Sequence, residues 1–219
     1  MTVEQHAAPP APQRGLRERK KQRTRDALLR VALELFTTKG YEETTVDEIA
    51  DAVDVSQRTF FRYFANKEAV VFAVQDTVEA HFAAALRARP AEESPFTALR
   101  EAVMEAWGTL EETLQPIVPV ALYMRTYQVI ESTPALLAVH LRRTAEMEEQ
   151  SARLIAEREG LDVDEDPRPR VAVAAFTGVM RVAGGLWGRG EDTNVDALRQ
   201  LTGAYLDHLG PALADDWHA

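Results

Sequence analysis

Apolar side chains recur along this chain at helical spacing. Leu28, Val31, Ala32, Leu35 and Phe36 fall at i, i+3, i+4, i+7 and i+8, which predicts a helix that begins in the basic stretch before it and stops at Lys39-Gly40. Thr45-Val46-Asp47-Glu48 has capping-box spacing, and Ile49, Ala50 and Val53 give the buried face of a second helix of about two turns. Asp54 stands where a tight turn needs left-handed backbone. Ser56 caps a third helix, with Val55 and Phe60 placed as a hydrophobic staple, and Asn66 caps a fourth running towards Arg87. Ser94-Pro95 then opens a stripe of Phe96, Leu99, Val103, Trp107 and Leu110, and Ile117 to Ile130 is more uniformly apolar. Thr133-Pro134 opens a helix reaching Gly160, Asp166-Pro167 one reaching about Trp187, and Thr193 or Asn194 a last one that Gly210-Pro211 closes. No alternating run is long enough for a strand, and there is no internal repeat. The expectation is an all-α chain of about nine helices, preceded by an Ala/Pro-rich segment, residues 1–14, read as a disordered tail.

Composition narrows the classes. The 219 residues suffice for a proper core, and the absence of cysteine removes disulfides, thiolate nucleophiles and cysteine-ligated zinc. Purely apolar stretches are only a few residues long, and Met1 to Pro12 lacks a charged region followed by an apolar one. A cytoplasmic protein with neither signal peptide nor membrane-spanning helix is expected. A net charge of -10 ordinarily argues against nucleic acid, but it is unevenly spread: residues 1–72 hold 12 Lys+Arg against 11 Asp+Glu, and residues 73–219 hold 13 against 24. Between Arg14 and Arg30 eight basic residues face only Glu18 and Asp26. A basic arm thus precedes an acidic body, although such a run can also be no more than a solvated face.

Thr45 to Val53 and Ser56 to Phe64 have the size and spacing of a helix-turn-helix, with an ordinary antiparallel pair as the alternative. The outer face of the third helix favours the first reading. With Phe60 and Phe64 turned inward, Gln57, Arg58, Thr59, Phe61 and Arg62 point out, a set able to read base edges and grip phosphate. Lys67 at the start of the fourth helix would oppose the helix dipole unless an anion were shared between it and the helix amides. The run Gly40-Tyr41, Thr45 to Ala50 and Val55 to Glu68 resembles the DNA-binding module of the TetR family of bacterial transcriptional regulators, over about Arg17 to Phe72. The resemblance implies a homodimer on a palindromic DNA operator, with Thr45, Tyr63 and Lys67 on phosphates and Gln57, Arg58 and Thr59 facing bases. The arm residues Arg17, Arg19, Lys20 and Lys21 would add phosphate contacts. Phe61 stands where the family often has tyrosine, exchanging a phosphate contact for an apolar one.

Residues 15–66 are therefore expected to form the DNA-binding domain and 67–219 a ligand-binding and dimerisation domain. Thr133 to Leu137 with the helix after it resembles a subgroup of the family with an acyl-CoA-like ligand domain. Trp107, Tyr123, Tyr127, His140, Phe176 and Met180 are candidates to line a ligand site, with core packing as the plainer reading. Arg125 could hold an anionic ligand, or pair with Glu105, or simply be exposed. Gly178 and Gly184, with the stripe Leu198, Leu201, Tyr205 and Leu209, suggest a dimer interface, though one bundle could use the same stripe. An enzyme finds little support: the histidines are scattered, no His/Glu pair has metal-site spacing, and no phosphate-cradling loop or nucleophile elbow is present. No cofactor or metal is expected. The reading is a repressor released by a small apolar or acyl-type effector, the alternatives being an architectural DNA binder without effector and a helical-bundle lipid or acyl enzyme.

Overall fold

The computed structural model describes residues 15–190 and 194–214; the segment 1–14 and Thr193 lie outside them. Eleven helices and no strand are present among the described residues. α1 (Leu16–Thr38) begins at Gly15 inside the basic arm and ends at Lys39, after which Gly40 turns the chain with φ +107°, a value that favours glycine. α2 (Val46–Asp51) carries the complete capping box: the Thr45 side chain accepts from the Glu48 N–H, and the Thr45 N–H donates to Glu48 Oε2 at 2.9 Å. α3 (Gln57–Tyr63) is capped by Ser56, and α4 (Lys67–Phe72) by Asn66 Oδ1, which accepts from the Ala69 N–H at 2.7 Å.

The expected single helix from Asn66 to Arg87 is divided. α5 (Gln75–Ala88) follows α4 after Ala73-Val74, which keep right-handed helical angles. The ladder tightens there through i to i−3 bonds, Ala73 N–H to Val70 O and Thr77 N–H to Val74 O. α6 (Pro95–Gly108) has its Ser94 cap and first-position proline, and Leu110, the last residue of the expected stripe, falls instead on a separate short helix, α7 (Leu110–Leu114). These two departures separate eleven helices from the expected nine. α8 (Val120–Ser132) starts later than Ile117 because Pro119 is extended (ψ 137°) and the helix can form only after it.

α9 (Pro134–Glu159) ends at Gly160 in left-handed conformation (φ 66°), and α10 (Arg168–Gly188) follows Pro167. α11 (Val195–Leu213) is capped by Asn194 and runs through Gly210-Pro211, which therefore do not close it. The proline sits in the last turn, where the carbonyl it leaves without an intrahelical donor can be hydrated.

The apolar interior forms two clusters. One joins Leu28, Leu33, Phe36, Ile49, Phe60 and Val70 of the first four helices to Leu110, Met124, Leu136, Trp187 and Leu198. The other gathers Phe82, Leu99, Val103, Ile155, Val173, Phe176 and Leu206. α1 packs against α2 and α4 and also along α8, so it belongs to both parts of the molecule. The Lys67–Ala88 stretch and α10 are long and apolar enough by composition to cross a membrane. In this fold one face of α10 is used internally, burying Val173, Phe176, Thr177, Ala183 and Trp187.

Candidate nucleic-acid interface and internal cavity

The α2–turn–α3 unit is held by its own caps and by a small aromatic core. Asp54 adopts φ +54°, and the Val55 N–H returns to the Ala50 carbonyl at 3.0 Å, which closes the turn. Phe60 is fully buried, with Phe61 edge-on at 5.5 Å and Phe64 at 5.8 Å. This anchors α3 so that Gln57, Arg58, Phe61 and Arg62 are exposed and Thr59 is half-buried. Phe61, 51 % exposed, is an apolar side chain held in water beside two arginines. Gln57 donates to the Asp47 carboxylate across the turn, so its amide is already oriented. Arg62 lies 5.0 Å over the Tyr63 ring and donates to its hydroxyl at 3.3 Å.

Arg17, Arg19, Lys20 and Lys21 are all exposed on the first turns of α1, Lys21 3.8 Å from Glu18. Arg25, counted in the basic arm, stacks 5.2 Å over Phe64, a contact between α1 and the end of α3 that no spacing within the sequence could show.

Two phosphate candidates have other partners. The Thr45 hydroxyl lies 3.1 Å from Glu48 Oε2 besides accepting from the Glu48 amide. The Lys67 ammonium donates to the carbonyls of Tyr41 at 2.8 Å and Thr44 at 2.7 Å and sits 4.6 Å over the Tyr41 ring. Side-chain length explains this geometry. Lys67 folds back over the α1–α2 loop, where fixed carbonyl dipoles offer what the unfavourable helix start denies it. Glu48 is tied to Lys39 as well as to the Thr45 amide, which holds its carboxyl down at about 2.

In the second part, a cavity of about 180 Å³ opens between α5, α6, α8, α9 and α10. Six of the seven ligand candidates line it: Trp107, Tyr123, Tyr127, His140, Phe176 and Met180. Arg125 does not; it is exposed on the far side of α8 from Met124 and Tyr127. The polar wall residues Gln75, Glu79 and Glu131 went unnoticed in the sequence, where nothing distinguishes them from polar residues that face solvent. Gln75 Nε2 is 3.0 Å from His140 Nδ1, and Glu131 Oε1 is 4.0 Å from His140 Nε2. Burial pushes the Glu79 and Glu131 carboxyls up and holds His140 down; the Tyr123 and Tyr127 hydroxyls are pushed up by the same cause. Among the described residues no group of three His, Asp or Glu side chains could hold a metal ion.

Residues 28–74 match the family described as bacterial regulatory proteins, tetR family, and residues 93–214 the MftR C-terminal domain. The HTH-type transcriptional regulator TcmR of Streptomyces glaucescens is 47 % identical over 203 residues, 93 % of this chain and 90 % of that one. The chain belongs to the TetR family. A Mycobacterium tuberculosis protein with the provisional name mycofactocin biosynthesis transcriptional regulator MftR is 30 % identical over 84 % of this TetR-family chain and 87 % of its own length. Among solved structures, NalD, described as the secondary repressor of the MexAB-OprM multidrug efflux pump in Pseudomonas aeruginosa, shares the fold. Its TM-score is 0.57 at 21 % identity, over 86 % of this chain and 96 % of that one. As a TetR-family member the chain is a DNA-binding transcriptional regulator, and its relatives are regulators rather than enzymes.

The proposed dimer stripe divides when placed in the TetR fold. Leu198 is 7 % exposed and belongs to the chain's own core, and Gly184 is buried against the wall of the cavity, where an added Cβ would stand 2.6 Å from the Tyr127 hydroxyl. Neither faces outward. Gly178 has open space beside it, Tyr205 is exposed, and Leu201 and Leu209 are half-buried. Val171, Val182 and Leu186 continue the exposed apolar surface along α10. A helical stripe cannot say by itself whether it packs within one chain or between two.

Proposed function

We propose that this regulator is a repressor that binds a palindromic operator as a homodimer and lets go when an apolar or acyl-bearing molecule enters the cavity. The observation that carries the reading is where the cavity lies. Gln75, in its wall, is the first residue of α5, directly after the Ala73-Val74 joint from α4. α4 in turn packs on α1 and supplies Val70 to the core that seats Phe60 under α3. A molecule that displaces the Gln75 wall moves the joint, and with it the outward face of Gln57, Arg58, Thr59, Phe61 and Arg62. The arm residues Arg17, Arg19, Lys20 and Lys21, with Tyr63, grip phosphate.

Two recognition helices must lie about 34–36 Å apart to enter successive major grooves, so a few ångströms of movement at each joint spoils the fit. The exposed faces of α10 and α11, with Gly178, Val182, Leu186 and Tyr205, supply the second copy's contact. Release follows only for a ligand that prefers the DNA-incompetent arrangement, because equal affinity for both shifts nothing.

The test is operator selection from random duplexes, followed by titration of the selected duplex with a panel of apolar compounds. A palindromic site bound by a dimer, and at least one compound that both raises the melting temperature and weakens operator binding, are expected. A site without two-fold symmetry removes the operator reading. A panel that neither stabilises the protein nor changes its DNA affinity removes the effector.

A further inference from the structure

The polar end of the cavity has a chemical sign. Gln75 is buried, 9 % exposed, and its Oε1 has no hydrogen-bond partner among the described residues. One of its two amide hydrogens is donated to His140 Nδ1. That bond leaves the His140 proton on Nε2, towards Glu131, whose side chain is 16 % exposed and accepts from the Tyr127 hydroxyl. The acceptors left over at this end are the Gln75 carbonyl, which has no donor among the described residues, and the remaining lone pairs of Glu131.

Arg143, behind the wall, is bound to Asp76 and, at 3.2 Å, to Glu79. Arg181 is the lining residue with a permanent positive charge, and it is exposed. The rest of the wall is broad and flat, with Phe82 and Phe176 stacked at 6.2 Å and 8° between ring planes, beside Trp107 and Tyr123.

Building on the effector reading above, we infer that the cavity takes an aromatic, non-anionic molecule whose hydroxyl or amine donates a hydrogen bond to the Gln75 carbonyl and Glu131. This parts from the fatty-acid and acyl-CoA class that the sequence resemblance suggested, since a carboxylate brings the Gln75 carbonyl no donor and stands against the Glu131 oxygens. A buried acceptor left unpaired costs most of what its hydrogen bond is worth, so a ligand that supplies the donor gains where its bare hydrocarbon cannot. The same contact explains why ligand chemistry would reach DNA: the residue that reads the donor is the residue beside the α4–α5 joint.

Four probes with one ring system decide it: biphenyl, 4-phenylphenol, 4-(aminomethyl)biphenyl and biphenyl-4-carboxylate, titrated against the full-length protein by calorimetry and by operator competition. The phenol or the amine should bind on the order of tenfold or more tighter than biphenyl, and the carboxylate weakest. In Gln75→Leu the advantage of the donor over biphenyl should vanish while biphenyl binding persists, which shows that the variant is folded. In Glu131→Gln the penalty on the carboxylate should shrink. If biphenyl or the carboxylate binds as tightly as the donors, the polar end has been misread, although the effector cavity stands. If none of the four binds, both readings fall.

Discussion

Replacing Lys67 by methionine keeps the length of the side chain and removes three contacts at once: the bonds to the Tyr41 and Thr44 carbonyls, at 2.8 and 2.7 Å, and the ammonium over the Tyr41 ring at 4.6 Å. A hydrogen bond from a charged group contributes about 1.5–3 kcal/mol, and a cation over an exposed ring about 0.5–1 kcal/mol. The three are not additive, and water can take over the Tyr41 carbonyl more easily than that of Thr44, which is fully buried. A loss of about 2–4 kcal/mol is expected in the absence of DNA. For a chain of this length that is a fall in Tm of roughly 5–15 °C. Amide exchange should quicken at residues 41–44 first, since Lys67 pins that loop. DNA affinity should drop alike for all sequences, because α3 loses its support rather than a base contact. If the melting temperature and the exchange at 41–44 are unchanged while the salt dependence of DNA binding falls by about one phosphate's worth per subunit, the clamp is wrong and Lys67 acts on phosphate alone.

Gly184→Leu should leave the dimer intact in sedimentation and abolish the ligand response, at an overpacking cost of about 1–3 kcal/mol, because its side chain collides with Tyr127 inside the cavity. Val182→Glu should do the reverse, giving monomers that still bind ligand; a dimer that survives it moves the interface off α10. Glu48 titrates lower in the folded chain than in the unfolded one, so the stability it supplies is fully present above about 4.5 and lost as pH falls towards about 2. Glu48→Gln should flatten that part of the acid-unfolding curve, and an unaltered curve would show that the Lys39 and Thr45 bonds do not set it. Arg58→Ala should relax discrimination at one base pair of each half-site by roughly 1–3 kcal/mol, read from a competition series of mutated operators, whereas a uniform loss would place Arg58 on phosphate.

Features written in local chemistry were legible in the sequence. The caps at Thr45, Ser56, Asn66 and Ser94, the left-handed residues Asp54 and Gly160, and the burial of Phe60 each depend on residues within a few positions of one another. The cavity lining was legible for a related reason: Tyr123 and Tyr127, a turn apart on α8, add more large apolar surface than one stripe needs, and Phe176 and Met180 do the same on α10. What stayed hidden depends on partners distant in the chain. The acceptors of Lys67 are backbone carbonyls, which carry no side-chain signal at all. The Ala73-Val74 joint contains neither proline nor glycine, so nothing marks it. Leu198 and Leu201 share a stripe and part company only when a neighbouring helix covers one of them.

The apolar cluster that runs from Phe36 and Phe60 through Val70 to Met124 and Trp187 makes the two parts of this regulator poor building blocks for exchange. A hybrid that joined these reading helices to another family member's sensing bundle at residue 66 would cut between Phe60 and Val70, and would lay α1 against a foreign α8. Such hybrids should fold only when the donor's α8 face is carried along, so a change of specificity is made on the α3 surface or the cavity walls rather than by exchange at the joint.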